Sequence, residues 1–114
     1  MTLRDIVQRL ALEVVVDGGG LDREVSGGFS GDLLSNVLAA ARPGNLWITI
    51  QRHVNVVGVA QVAGLSGVLL AGGEAPALAV VAKAEEMGIP ILLAPDAAFE
   101  LAGRLHRVLI PEET

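Results

Sequence analysis

Residues 54–73 read V-N-V-V-G-V-A-Q-V-A-G-L-S-G-V-L-L-A-G-G, twenty positions without one charged side chain. Water will not tolerate such a stretch lying open, so its surroundings constrain the fold more than any other feature. At about 1.5 Å per residue, one continuous helix of this length would just cross the hydrocarbon of a bilayer. The internal pattern points elsewhere. Gly58, Gly64 and Gly67 divide the stretch, and Asn55, Gln61 and Ser66 place polar groups inside it. Residues 54–63 suit a short helix. Residues 67–71 are an apolar run closed by Gly72-Gly73, the pattern of a strand buried on both faces of a parallel sheet. A helix, a turn and a core strand are expected here, not a membrane span.

The flanking sequence continues the alternation. Leu3, Ile6, Val7 and Leu10 form a helical stripe over residues 2–10, with Thr2 as N-cap. A strand over 12–16 and a turn at Asp17-Gly18-Gly19-Gly20 follow, then an extended segment over 24–29. A helix is predicted over 31–41, capped by Ser30, with Asp32 in its first turn and Leu33, Leu34, Val37, Leu38 and Ala41 facing inward. Arg42-Pro43-Gly44 ends it, and residues 46–50 form a strand. Pro76 is expected to open a helix that runs to Met87, with Gly88 past its end. A strand over 89–93 precedes a last helix opened by Pro95 and Asp96, with Phe99, Ala102 and Leu105 inward, and a short strand over 107–110 closes the pattern before the acidic end 112–114. Strands and helices joined by a few residues predict one α/β domain over 1–114: three layers, with a mostly parallel central sheet and helices on both faces.

Composition enters mainly through what it argues against. The chain has no cysteine, which removes disulfides, thiolate metal sites and thiol catalysis, and fits a reducing cytoplasm. Acidic residues outnumber basic ones 13 to 8, Lys83 is the single lysine, and the arginines are scattered. Nucleic acid would require clustered positive charge, so it is not an expected partner. Arg4 and Asp5 interrupt the N-terminus at once, so no secretory leader is expected there. No G-x-x-x-x-G-K-[ST] loop exists, which excludes P-loop phosphoryl transfer. Gly18-Gly19-Gly20 precedes no helix start and reads as a turn, not a phosphate cradle.

Two places hold candidate binding residues. Ser30 and Asp32 lie where an extended segment meets a helix N-terminus, and the competing readings are a capped structural helix and a polar ligand site. The second place is Trp47, Thr49, Gln51, His53 and Asn55, spaced by two across the expected end of a strand. Ligands of open parallel sheets bind at carboxyl ends of strands, so Thr49, Gln51, His53 and Asn55 stand where a pocket is expected. In the structural alternative, His53 or Asn55 caps the next helix and Gln51 satisfies loop backbone. His53 with Asp32 would be the acid–base pair of an enzyme. No catalytic constellation, metal site or cofactor is assigned.

The strings G-F-S-G-D-L-L-S-N-V-L (28–38) and W-I-T-I-Q-R-H-V-N-V-V-G-V-A (47–60) resemble the DRTGG domain family. Members occur as stand-alone proteins, inside some phosphotransacetylases, and between CBS domains in some inorganic pyrophosphatases. The family is also similar to the N-terminal, non-kinase domain of HPr kinase/phosphorylase. The literal D-R-T-G-G string is absent: Asp22-Arg23-Glu24 is followed by glycines only at Gly27-Gly28. The resemblance implies an α/β domain that self-associates and serves a regulatory region. The expected function is a non-catalytic regulatory or ligand-sensing module, acting as a homodimer on a nucleotide or phosphorylated metabolite. The alternatives are a subunit that docks on a metabolic or redox enzyme, and a small hydrolase or transferase using His53 and Asp32.

Overall fold

The apolar runs become the middle of one sheet in the computed structural model, which describes residues 1–110; the acidic end 112–114 lies outside them. The elements in chain order are α1 (Leu3–Leu10), β1 (Glu13–Val16), β2 (Gly27–Ser30), α2 (Leu34–Ala40), β3 (Asn45–Thr49), α3 (Asn55–Val62), β4 (Gly67–Leu70), α4 (Leu78–Met87), β5 (Ile91–Leu93) and α5 (Ala98–Leu109). The sheet runs β1-β5-β4-β3-β2. Strands β2 to β5 are parallel, and β1 is antiparallel to β5 with a register shift between Val14 and Val16.

Every residue of β3, β4 and β5 is buried, which is why 46–48, 68–70 and 91–93 are continuous apolar runs; the polar Asn45 and Thr49 stand only at the two ends of β3. Helices cover both faces. On one, Leu3, Ile6 and Leu10 of α1 and Leu101 and Leu105 of α5 pack with Leu46, Ile48, Leu69 and Leu92. On the other, Val37 of α2, Val56, Val57 and Ala60 of α3, and Val80 and Ala84 of α4 pack with Trp47, Val68, Leu70 and Ile91. Successive strand side chains feed opposite layers. From β2 to β5 each connection steps one strand along the sheet in the same sense, so α2, α3 and α4 share a face.

The expected three-layer α/β fold is therefore what forms. The uncharged stretch becomes α3, a turn at Gly64 and β4, and no helix among the described residues is long and apolar enough to cross a membrane. Thr2 caps α1 as predicted: its hydroxyl accepts from the Asp5 N–H, and the Asp5 carboxylate accepts from the Thr2 N–H. Gly18-Gly19-Gly20 is a packed turn, in which Asp17 Oδ1 accepts from the Gly19 N–H.

Four expectations need correction. The helix predicted over 31–41 begins only at Leu34, Ser30 is the last residue of β2, and Leu33 is an N-cap without a side-chain bond. The Gly31 N–H donates to the Ile48 carbonyl, so β3 keeps the chain extended one residue past β2. Of the predicted stripe only Val37 is buried, whereas Leu33 and Leu38 are 67% and 49% exposed, because two turns present a single row to the sheet. Pro76 precedes α4 instead of opening it. In α5 the inward row is Leu101 and Leu105, and Phe99 is 86% exposed, roughly 100° around the helix from the half-buried Ala98. In place of the strand predicted over 107–110 the helix runs on to Leu109, and its last turn carries His106 and Arg107.

Candidate functional site

Three polar side chains from β3 and its outgoing loop converge on two residues after β2. Trp47 Nε1 donates to the Gly31 carbonyl at 2.7 Å. Thr49 Oγ1 donates to Asp32 Oδ1 at 2.8 Å, and Gln51 Nε2 donates to the Asp32 carbonyl at 3.0 Å. Backbone groups complete the staple: the Ile50 N–H donates to Asp32 Oδ1 and the Gln51 N–H to Thr49 Oγ1. Parallel pairing of β2 with β3 puts Phe29 beside Trp47 and Ser30 beside Ile48, so the next residues of both chains leave the sheet together. Thr49 is fully buried, and its hydroxyl has both a donor and an acceptor role to fill there.

Arg52 secures the neighbouring loop. Its guanidinium donates to the carbonyls of Ile50, Ala71 and Glu74 at 2.7, 2.7 and 2.6 Å. The segment after β4 is in turn bonded to the one after β5, since the N–H groups of Gly72 and Gly73 donate to the Asp96 and Ala94 carbonyls. The loops at the carboxyl ends of β2 to β5 thus form one connected rim. Sequence reasoning passed over Arg52, because a three-carbonyl fork on loops some twenty residues away leaves no local signal.

The six candidate residues divide into three groups. Asp32, Thr49 and Gln51 form the staple. His53 and Asn55 lie exposed at the start of α3, where His53 Nδ1 accepts from the Asn55 N–H, the first of the helix, at 3.1 Å; the N-cap residue itself, Val54, makes no side-chain bond. Ser30 lies apart, lining a pocket of about 220 Å³ on the α5 side with Gly28, Ile48, Leu105 and His106. Asp32 and His53 therefore take separate partners, and no hydrogen bond joins them. Among the described residues no group of three His, Asp or Glu is placed to hold a metal ion. A separate cleft of about 290 Å³ opens at the opposite end of the sheet, lined by Arg23, Glu24, Gln61 and Ser66 among others.

The string from Trp47 to Gln51 is thus the part of the sequence that locks the rim, and it lies within the span matched by a family model. The model of the DRTGG domain covers residues 5–108. The chain belongs to the DRTGG domain family. The fold agrees: the crystal structure of the CBS and DRTGG domains of the regulatory region of a Clostridium perfringens pyrophosphatase, complexed with its activator diadenosine tetraphosphate, superimposes with a TM-score of 0.69. The two chains are 16% identical, and the match covers 91% of this chain but 45% of the other. This DRTGG domain therefore spans less than half of that regulatory region. No curated protein matches the sequence.

Proposed function

We propose that this DRTGG domain is a non-catalytic regulatory or ligand-sensing module of the cytoplasm, acting as a homodimer. The observation that carries the reading is how the polar residues at the strand ends are used. Asp32, Thr49 and Arg52 are spent on holding loops, and His53 Nδ1 is taken by the first N–H of α3, so a ligand would meet a shaped rim instead of an acid–base pair. The regulatory region of similar fold was crystallised with a nucleotide activator, which supports the same class of role here.

The groups left to a ligand are the exposed parts of His53 and Asn55 and the free amide oxygen of Gln51, with Asp32 and Thr49 as positioning residues. Arg52 is engaged on carbonyls, so recognition would run through hydrogen bonds more than through a cation on phosphate. That chemistry suits the polar edge of a nucleoside. The test is thermal unfolding of the full chain against adenine and guanine nucleotides, diadenosine tetraphosphate, coenzyme A esters and sugar phosphates. A ligand at 100 times its dissociation constant adds about 2.7 kcal/mol, on the order of 10 °C for a chain of this size. The shift is expected to fall in His53→Ala and Asn55→Ala. No shift from any compound at millimolar concentration would sink ligand sensing.

A further inference from the structure

The sheet ends in two unlike edges. At one, β1 carries the exposed Glu13, a charge that discourages a further strand. At the other, β2 reads Gly27-Gly28-Phe29-Ser30, with no charge and no proline. Its pairing with β3 shows which groups are in use. The Gly31 N–H donates to the Ile48 carbonyl. Alternate residues of a parallel ladder bond to the same neighbour, so Phe29 faces β3, while Gly28 and Ser30 turn their N–H and C=O to the open side. No strand lies beyond them. An apolar slot of about 220 Å³ opens beside this edge, between β2 and α5. Ile48, Ala102, Leu105 and Leu109 line it with Ser30 and His106, and no Asp, Glu, Lys or Arg takes part. Gly28 keeps it open: a β-carbon there would lie 3.0 Å from Leu105 Cδ2. Ile48 belongs to the α1–α5 layer and Ser30 is its partner on β2, so a strand added beyond Ser30 would point alternate side chains at the same layer.

We propose that the β2 edge and this slot together take an extended peptide segment of another protein, which adds a strand to the sheet and places one bulky apolar side chain in the slot. The two halves select that occupant jointly. A row of main-chain N–H and C=O groups is met in full only by another extended main chain. The uncharged slot is the size of a single large apolar side chain and offers a charged group nothing to pair with. A second copy of this chain does not supply that side chain. Its own β2, laid antiparallel along the edge, would turn Gly28 and Ser30 to this face and Phe29 to the other, so the slot would stay empty. The inference stands apart from the homodimer reading above.

The probe is an acetylated and amidated heptapeptide, threonines flanking a central leucine, titrated into the isotope-labelled full chain and followed by nuclear magnetic resonance. Saturable shifts of the Gly28 and Ser30 amides, and of Leu105 and Leu109 on α5, are expected with a dissociation constant below about 1 mM. Alanine in place of the leucine should weaken binding about tenfold or more. N-methylation of the threonine nitrogens should abolish it, because the edge loses its donors. Gly28→Val fills the slot and should lose the peptide; valine suits a strand, and a melting temperature checks that the variant folds. Should it misfold, Ala102→Leu narrows the same slot from α5 and decides. Val62→Glu, on the other layer, should bind as the wild type does. The proposal is overturned by an absence of shifts at Gly28 and Ser30, or by binding that survives N-methylation. Shifts at the same amides that grow as the chain is concentrated without peptide would assign the edge to a second copy and overturn it too.

Discussion

Thr49 shows what a single hydroxyl does where water is absent: it donates to Asp32 and accepts from the Gln51 N–H. Thr49→Val keeps the shape and removes both bonds. A loss of about 1–3 kcal/mol is expected, read by urea unfolding followed through Trp47, the chain's single tryptophan. A change below about 0.5 kcal/mol would mean that the backbone bonds alone hold the loop. Arg52→Lys is expected to lose about 1–2 kcal/mol, because an ammonium cannot serve three carbonyls from one rigid fork; hydrogen exchange around Gly72–Glu74 should quicken in the same variant. Gly18 and Gly19 give a sharper contrast. Both have positive φ, at 64° and 68°, but a β-carbon on Gly18 would lie 2.9 Å from the Gly88 backbone and one on Gly19 would meet nothing. Gly19→Ala should lose about 1 kcal/mol and Gly18→Ala at least twice that. Equal losses would refute the packed turn.

At the scale of elements, the capping box of α1 makes a pH prediction. The Thr2 N–H, and then the Thr2 hydroxyl, hold the Asp5 carboxyl below the ordinary aspartate value of 3.8. A depressed pKa means that the folded state favours the charged form. The contribution is therefore fully present above that ordinary value and is lost as pH falls through the lower folded one. Wild type and Asp5→Asn should differ in melting temperature near neutrality and converge in acid; a gap that persists at pH 2 would contradict the cap. This cap was legible because all its partners lie within one turn. Helix α2 was not, because Gly31 bonds to β3 and Asp32 answers to Thr49 and Ile50, residues 17 and 18 positions away, instead of to its own helix. Phe99 was misplaced for a different reason. In a helix with several apolar residues the phase is set by which row meets the sheet, and Leu101 and Leu105 outcompete it there.

For the whole molecule, association should appear as a melting temperature that rises with protein concentration, since a dimer that forms only from folded chains stabilises them by mass action. A midpoint unchanged across a 100-fold dilution series would argue against it. The layers themselves follow from the chain alone. Uncharged runs must be hidden, glycines cut them to strand and helix lengths, and a period of 2 or 3.6 tells each run which face to bury. Those are properties of neighbours in sequence, so residues 67–71 could be read as a core strand before any coordinates existed. Which polar group meets which could not. Trp47 with Gly31, Gln51 with Asp32, and Arg52 with Glu74 are separated by 16, 19 and 22 positions. They come within hydrogen-bond range only because β2, β3 and β4 lie side by side in register, and strand order and register are decided by the packing of the whole sheet.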